Sequence, residues 1–145
     1  VIKKGDETKK EGDDYAARVY VAFDYEPHKA TFFERVKRGL AKTLFGVDPP
    51  GKAINYIWAN RLKKDSAAWN PFTDKVIMIA VESGASSAGR WVTETRDVYE
   101  DYRRYFNDEP PRVACVAIMT DTDNTKEEAV AYYDDISFSA APLLQ

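Results

Sequence analysis

Cysteine and histidine are nearly absent. The chain holds one of each, Cys115 and His28, so no intrachain disulfide can form and no cluster of sulfur and imidazole ligands exists to hold a structural zinc. Cys115 lies in the apolar run of residues 113–119, where a thiol is expected to be buried and inert; the redox compartment stays open. His28 stands between Pro27 and Lys29 with no nucleophile or acid motif around it, the setting of a solvated loop histidine and not of a general base. No stretch approaches the roughly 18 apolar residues of a membrane span, so no membrane span is expected. The opening residues are charged where a signal peptide is apolar. Nor is positive charge in excess: 21 Lys and Arg against 24 Asp and Glu give a net charge of -3, which leaves no net pull toward nucleic acid or anionic lipid.

What the chain does hold is a globular composition. Apolar residues make up 44% and aromatic residues 13% of 145 positions, enough to bury a core at the length of one domain, 1–145. Residues 1–14, VIKKGDETKKEGDD, carry charge and two glycines without an apolar period and read as a charged loop. They begin without methionine, as a processed or truncated product would.

Residues 18–25 alternate, with Val19, Val21, Phe23 and Tyr25 on one face, which predicts a half-buried strand. Thr31 and Glu34 form a capping box, and Phe32, Phe33, Val36, Leu40 and Leu44 follow at helical spacing until Gly46, Pro49 and Pro50. Residues 53–59 alternate again, placing Ile54, Tyr56 and Trp58 together. Residues 76–81 and 113–119 are short apolar runs rich in β-branched side chains, the pattern of central strands. A further alternating strand is expected over 90–95. Asp97 and Glu100 then cap a short helix carrying Val98, Tyr102 and Tyr105, stopped by Asn107, Pro110 and Pro111. Residues 132–138 alternate once more. Six strands without regular strand and helix alternation predict a mainly β fold, an antiparallel β-sandwich of jelly-roll type with two short helical insertions.

Several clusters carry chemistry. Gly84 and Gly89 have the spacing of a phosphate loop, but Arg90 and Trp91 stand where lysine and a hydroxyl are needed, so a turn is expected. Asp121, Asp123 and Asn124 gather short oxygen-bearing side chains after a strand, the ligand chemistry of calcium. Lys126 and Tyr132 occupy the glycine and glutamate positions of an EF-hand, so a structural calcium site would have to be completed by Asp134 or Asp135 through folding; the alternative is an Asx-turn. Glu82, Glu94, Asp97 and Asp101 offer carboxylates for a glycosidase pair, whereas Arg18, Glu94 and Arg96 read as a cross-strand charge pair. Trp58, Trp91, Tyr56 and Asn60, with Tyr20 nearby, are either core packing or an aromatic platform for the C–H face of a sugar, with polar neighbours holding its hydroxyls.

Residues 12–21 (GDDYAARVYV), 89–91 (GRW), 94–98 (ETRDV), 101–102 (DY), 118–125 (IMTDTDNT) and 133–138 (YDDISF) carry a resemblance over nearly the whole chain. Through them the protein resembles a bacterial family of exported proteins, the domain of unknown function 3047. The resemblance implies a periplasmic or extracellular origin and additional N-terminal strands before residue 1, and it brings no established activity. Asp134 departs from the family pattern, which has glycine before the aspartate. The closing segment is also similar to the last strand of jelly-roll carbohydrate-binding modules.

These readings together point to a non-catalytic, extracytoplasmic binding or assembly module with a glycan as ligand. A glycan-active enzyme is the alternative, or a structural subunit completed by a partner chain. A sheet lacking outer strands would expose an edge, to be covered by the missing N-terminal segment, another copy or a partner chain.

Overall fold

Period-two alternation in the sequence becomes one five-stranded sheet in the computed structural model, which describes residues 2–31 and 51–140. The strands are β1 (Tyr15–Phe23), β2 (Ala53–Ala59), β3 (Ala67–Trp69), β4 (Val76–Ser83) and β5 (Val113–Asp121), with one helix, α1 (Val98–Phe106), between β4 and β5. A 3-10 turn, Lys10–Gly12, precedes β1. The helix expected after Thr31 lies outside the described residues.

The sheet order is β3-β4-β2-β1-β5. β1 pairs antiparallel with β2, Val19 facing Tyr56 and Val21 facing Ile54. On its other side β1 pairs antiparallel with β5, Val19 facing Ile118 and Val21 facing Val116. β2 and β4, however, run parallel, Ile54 facing Ile77 and Tyr56 facing Ile79. The expectation of a purely antiparallel sheet is thereby corrected. The connection from β2 to β4 carries β3 on the far side of β4, antiparallel to it, and this return stretch brings the chain back to start β4 in the direction of β2.

One face of the sheet buries Val21, Phe23, Ile54, Tyr56, Ile77 and Ile79 under α1, whose Val98, Tyr102, Tyr105 and Phe106 pack on them. Phe23 and Tyr102 meet edge to face at 4.6 Å, and Trp69 meets Phe106 at 5.5 Å. The helix starts where the capping signal placed it: the Asp97 side chain accepts from the Glu100 N–H, and Asn107, at φ 49°, closes the far end. The other face buries Tyr15, Ile57, Ala59, Met78 and Ala80.

Three expectations change. Residues 90–95 and 132–138 are not strands; they run without a ladder, and no backbone partner meets them among the described residues. Among the described residues these segments add no second sheet, since alternation alone cannot make a strand without a neighbour for its N–H and C=O groups. β3 was not foreseen, being too short to show a period. β5, expected as a central strand, is an edge with both faces open. Val113, Val116, Ile118 and Met119 are all exposed, and Cys115 is exposed with them.

Burial separates the core from this edge energetically. Tyr102→Ala, which removes the ring that α1 lays on Phe23, should cost about 3 to 5 kcal/mol in urea unfolding. Val116→Ala on open β5 should stay within about 0.5 kcal/mol of the parent.

Candidate functional site

A groove of about 1320 Å³ lies between the β1–β2 face of the sheet, the start of α1 and two irregular stretches, residues 90–97 and 132–140. Alternation along β2 puts Tyr56 and Trp58 on this side, as expected. Tyr56 is buried, and its hydroxyl donates to Asp101 Oδ2 at 2.8 Å. Asp101 is in turn gripped by Arg96, whose Nη2 and Nε lie 2.6 and 3.0 Å from its oxygens. Burial, then the Asp101 charge, holds the Tyr56 phenol far above its ordinary value. Tyr56 is thus a fixed part of the groove floor.

Trp58 is half-buried, and its indole N–H donates to the Gly84 carbonyl at 2.8 Å. Gly84 and Gly89 both take positive φ, 67° and 79°, so the glycine-spaced segment is a turn, as its residues indicated. Trp91 follows that turn and is 68% exposed at the groove wall. Three of the four expected ligand residues therefore share one groove. Asn60 does not: its amide donates to the Asp14 carbonyl at 2.9 Å, away from the groove. Tyr132, 78% exposed, also lines the groove, a place its sequence setting did not signal.

Of the carboxylates considered for a glycosidase pair, Glu82 and Glu94 share one cation. Lys64 Nζ lies 2.8 Å from Glu82 and 2.9 Å from Glu94. That ammonium holds Glu82 below the usual carboxylate range against the opposing pull of burial. Asp97 caps α1, and Asp101 serves Tyr56 and Arg96. The expected charge pair of Arg18, Glu94 and Arg96 resolves into three separate ones, with Asp121, Lys64 and Asp101 respectively.

Behind the groove, Asp121 and Asp123 meet Asp14, with one oxygen from each within 4.8 Å of the others. Asp14 was missed because it ends a run that reads as a charged loop. Asn124 turns its donors to Asp14, its N–H and Nδ2 at 3.2 and 3.3 Å. Asp134 and Asp135 line the groove instead of joining these three. Asp121 accepts from the Tyr15 N–H and from Arg18, a cross-strand ion pair whose arginine is buried and whose carboxylate is half-buried.

Burial pushes the Asp14 carboxyl up, but the donors on Thr125 and Asn124 outweigh it and leave it below 3.8. Burial raises Asp121; Arg18 and the Tyr15 N–H oppose this, Asp14 and Asp123 add to it, and the net lies above 3.8. The two titrate with opposite consequences. Stability from Asp14 is present above pH 3.8 and lost as pH falls through its lower folded value. Ionising Asp121 costs stability as pH rises from 3.8 through its higher one.

Residues 1–137 match the family described as Protein of unknown function (DUF3047). The chain belongs to this family. No curated protein and no solved structure matches it. Stretches that carry the family resemblance converge here: Arg90, Trp91, residues 94–98 and residues 133–138 line the groove, and residues 12–21 and 118–125 supply Asp14, Arg18, Asp121 and Asp123.

Removing Arg18 should leave the half-buried Asp121 charge with the Tyr15 N–H as its remaining donor. Arg18→Met is expected to lose roughly 1 to 3 kcal/mol at neutral pH by urea unfolding. The loss should shrink in mild acid, as Asp121 takes up its proton, and Asp121→Asn in the same chain should recover part of it.

Proposed function

We propose that the chain is a non-catalytic binding module that holds an extended carbohydrate in the groove, acting outside the cytoplasm as the family resemblance implies. The observation that carries this reading is the convergence of Trp91, Trp58 and Tyr132 on one groove with Arg90, Glu94, Asp134 and Asp135. Sugar rings offer C–H faces that stack on exposed indole and phenol rings, and hydroxyls that pair with carboxylate and guanidinium groups. Trp91 and Tyr132 are the stacking surfaces, because the Trp58 N–H and the Tyr56 hydroxyl are already bonded within the protein. Binding is favoured over cleavage because hydrolysis needs a carboxyl that keeps its proton. Glu82 is pushed the other way by Lys64.

Trp91→Ala should weaken glycan binding by about tenfold or more while leaving Tm unchanged, since the ring is largely exposed. Glycan-array screening of the parent followed by calorimetric titration of both proteins measures it. A parent that binds no glycan on the array overturns the reading.

Structural calcium belongs to the same proposal, with Asp14, Asp121 and Asp123 as its carboxylates. Three carboxylates against the one guanidinium of Arg18 leave two negative charges when all are ionised, which a divalent hard cation cancels. Calcium should then raise Tm above that measured in chelator. Superimposable melts would leave Arg18 as the sole counter-charge.

A further inference from the structure

β5 has the least protected edge of the sheet. The opposite edge, β3, is three residues long and packs Trp69 on Phe106. β5 runs for nine residues with no proline and no charged side chain before Asp121, and every residue ahead of Asp121 is exposed. Strand edges are ordinarily blunted by shortness, charge, proline or cover. Among the described residues β5 has none of these; the register shifts in its pairing with β1 lie toward its ends, next to Val113 and next to Asp121, and leave residues 115–119 regular.

We propose that this edge is covered by β5 of a second copy, running antiparallel about a twofold axis at Ala117. Such an axis keeps each face of the sheet on its own side, so residues of like face oppose one another. Centred on Ala117, it sets Val116 opposite the partner's Ile118, two β-branched side chains on the face they share with Val21 and Val19. On the other face it sets Cys115 opposite the partner's Met119. The smallest side chain of the three central positions lies on the axis itself.

Charge favours the same arrangement. Arg112, its side chain 92% exposed and bridged to Asp24 at 3.1 Å, precedes the strand, and exposed Asp123 follows it, while Asp121 at its end is turned inward to Arg18. Antiparallel pairing brings each arginine toward the partner's Asp123 at both ends of the interface; a parallel pairing would place like charges together. The product is one continuous sheet with both grooves on the same side, and the pairing does not depend on what the groove holds.

Sedimentation equilibrium over a range of concentrations should show a dimer. Val116→Lys, at a site exposed in the single chain, should give a monomer that keeps the parent's circular dichroism spectrum, with a Tm that no longer depends on protein concentration. Arg112→Glu should weaken the dimer by about tenfold or more, whereas Arg112→Lys, which keeps the charge, should preserve it. Ala117→Cys in a Cys115→Ser background should form a disulfide-linked dimer on mild oxidation, because directly opposed strand residues lie about 4.5 to 5.5 Å apart, within disulfide reach. A monomer at the highest concentration, a dimer indifferent to Val116→Lys, or no crosslink through Ala117→Cys overturns the proposal.

Discussion

Two buried carboxylates near the start of the chain hold the sheet together at one end. Glu7, fully buried, accepts the backbone N–H groups of Asn60, Arg61 and Leu62 just after β2. Asp14, equally buried, accepts those of Asn124 and Thr125 just after β5. Buried carboxylates persist only when such charge-assisted bonds replace water. Asn60 joins the two ties, its amide reaching the Asp14 carbonyl, and Gly5 lies so close to Asn60 that a Cβ has no room. The Arg18–Asp121 pair sits beside Asp14, so the groove's rear wall and the acidic group depend on the same clasp.

Local signals were legible and distant ones were not. β2 appears over the residues whose alternation announced it, and α1 lies between its cap at Asp97 and its stop at Asn107, because these features depend on neighbours in the chain. Glu7 and Asp14 escaped notice for the opposite reason. A buried carboxylate looks like any surface acid until the loops it binds, more than 50 and 100 residues away, are folded around it. The apolar run of β5 reads identically whether a strand is covered or open, so it was taken for a centre when it is an edge. Trp58 and Trp91 line one groove, whereas Asn60, next to β2 in the sequence, lies where the chain has already turned away.

The groove's outer wall is held to the sheet through one side chain. Residues 132–138 alternate but form no ladder; instead the Tyr133 hydroxyl donates to the Met119 carbonyl at 2.8 Å and receives the Arg18 N–H at 3.0 Å. Both edges of β1 are already paired, by β2 and β5, and the phenol bonds the two strands beside the register shift that follows Tyr15 in the β1–β5 ladder. Exposed Tyr132 stands on one side of Tyr133 and the exposed acids Asp134 and Asp135 on the other. The stacking surface and the polar partners proposed for a ligand thus flank one tethering side chain.

β1 also imposes an order on synthesis. It pairs with β2, which follows it closely, and with β5, whose Asp121 is 106 positions from Tyr15. As the chain emerges from a ribosome, β1 can find β2 long before β5 exists, and its second edge stays bare until β5 has followed. Contacts of such sequence separation form slowly and leave apolar strands open meanwhile. Completion of the sheet is therefore a late event, and the interval before it is when the nascent protein is most exposed to misassembly.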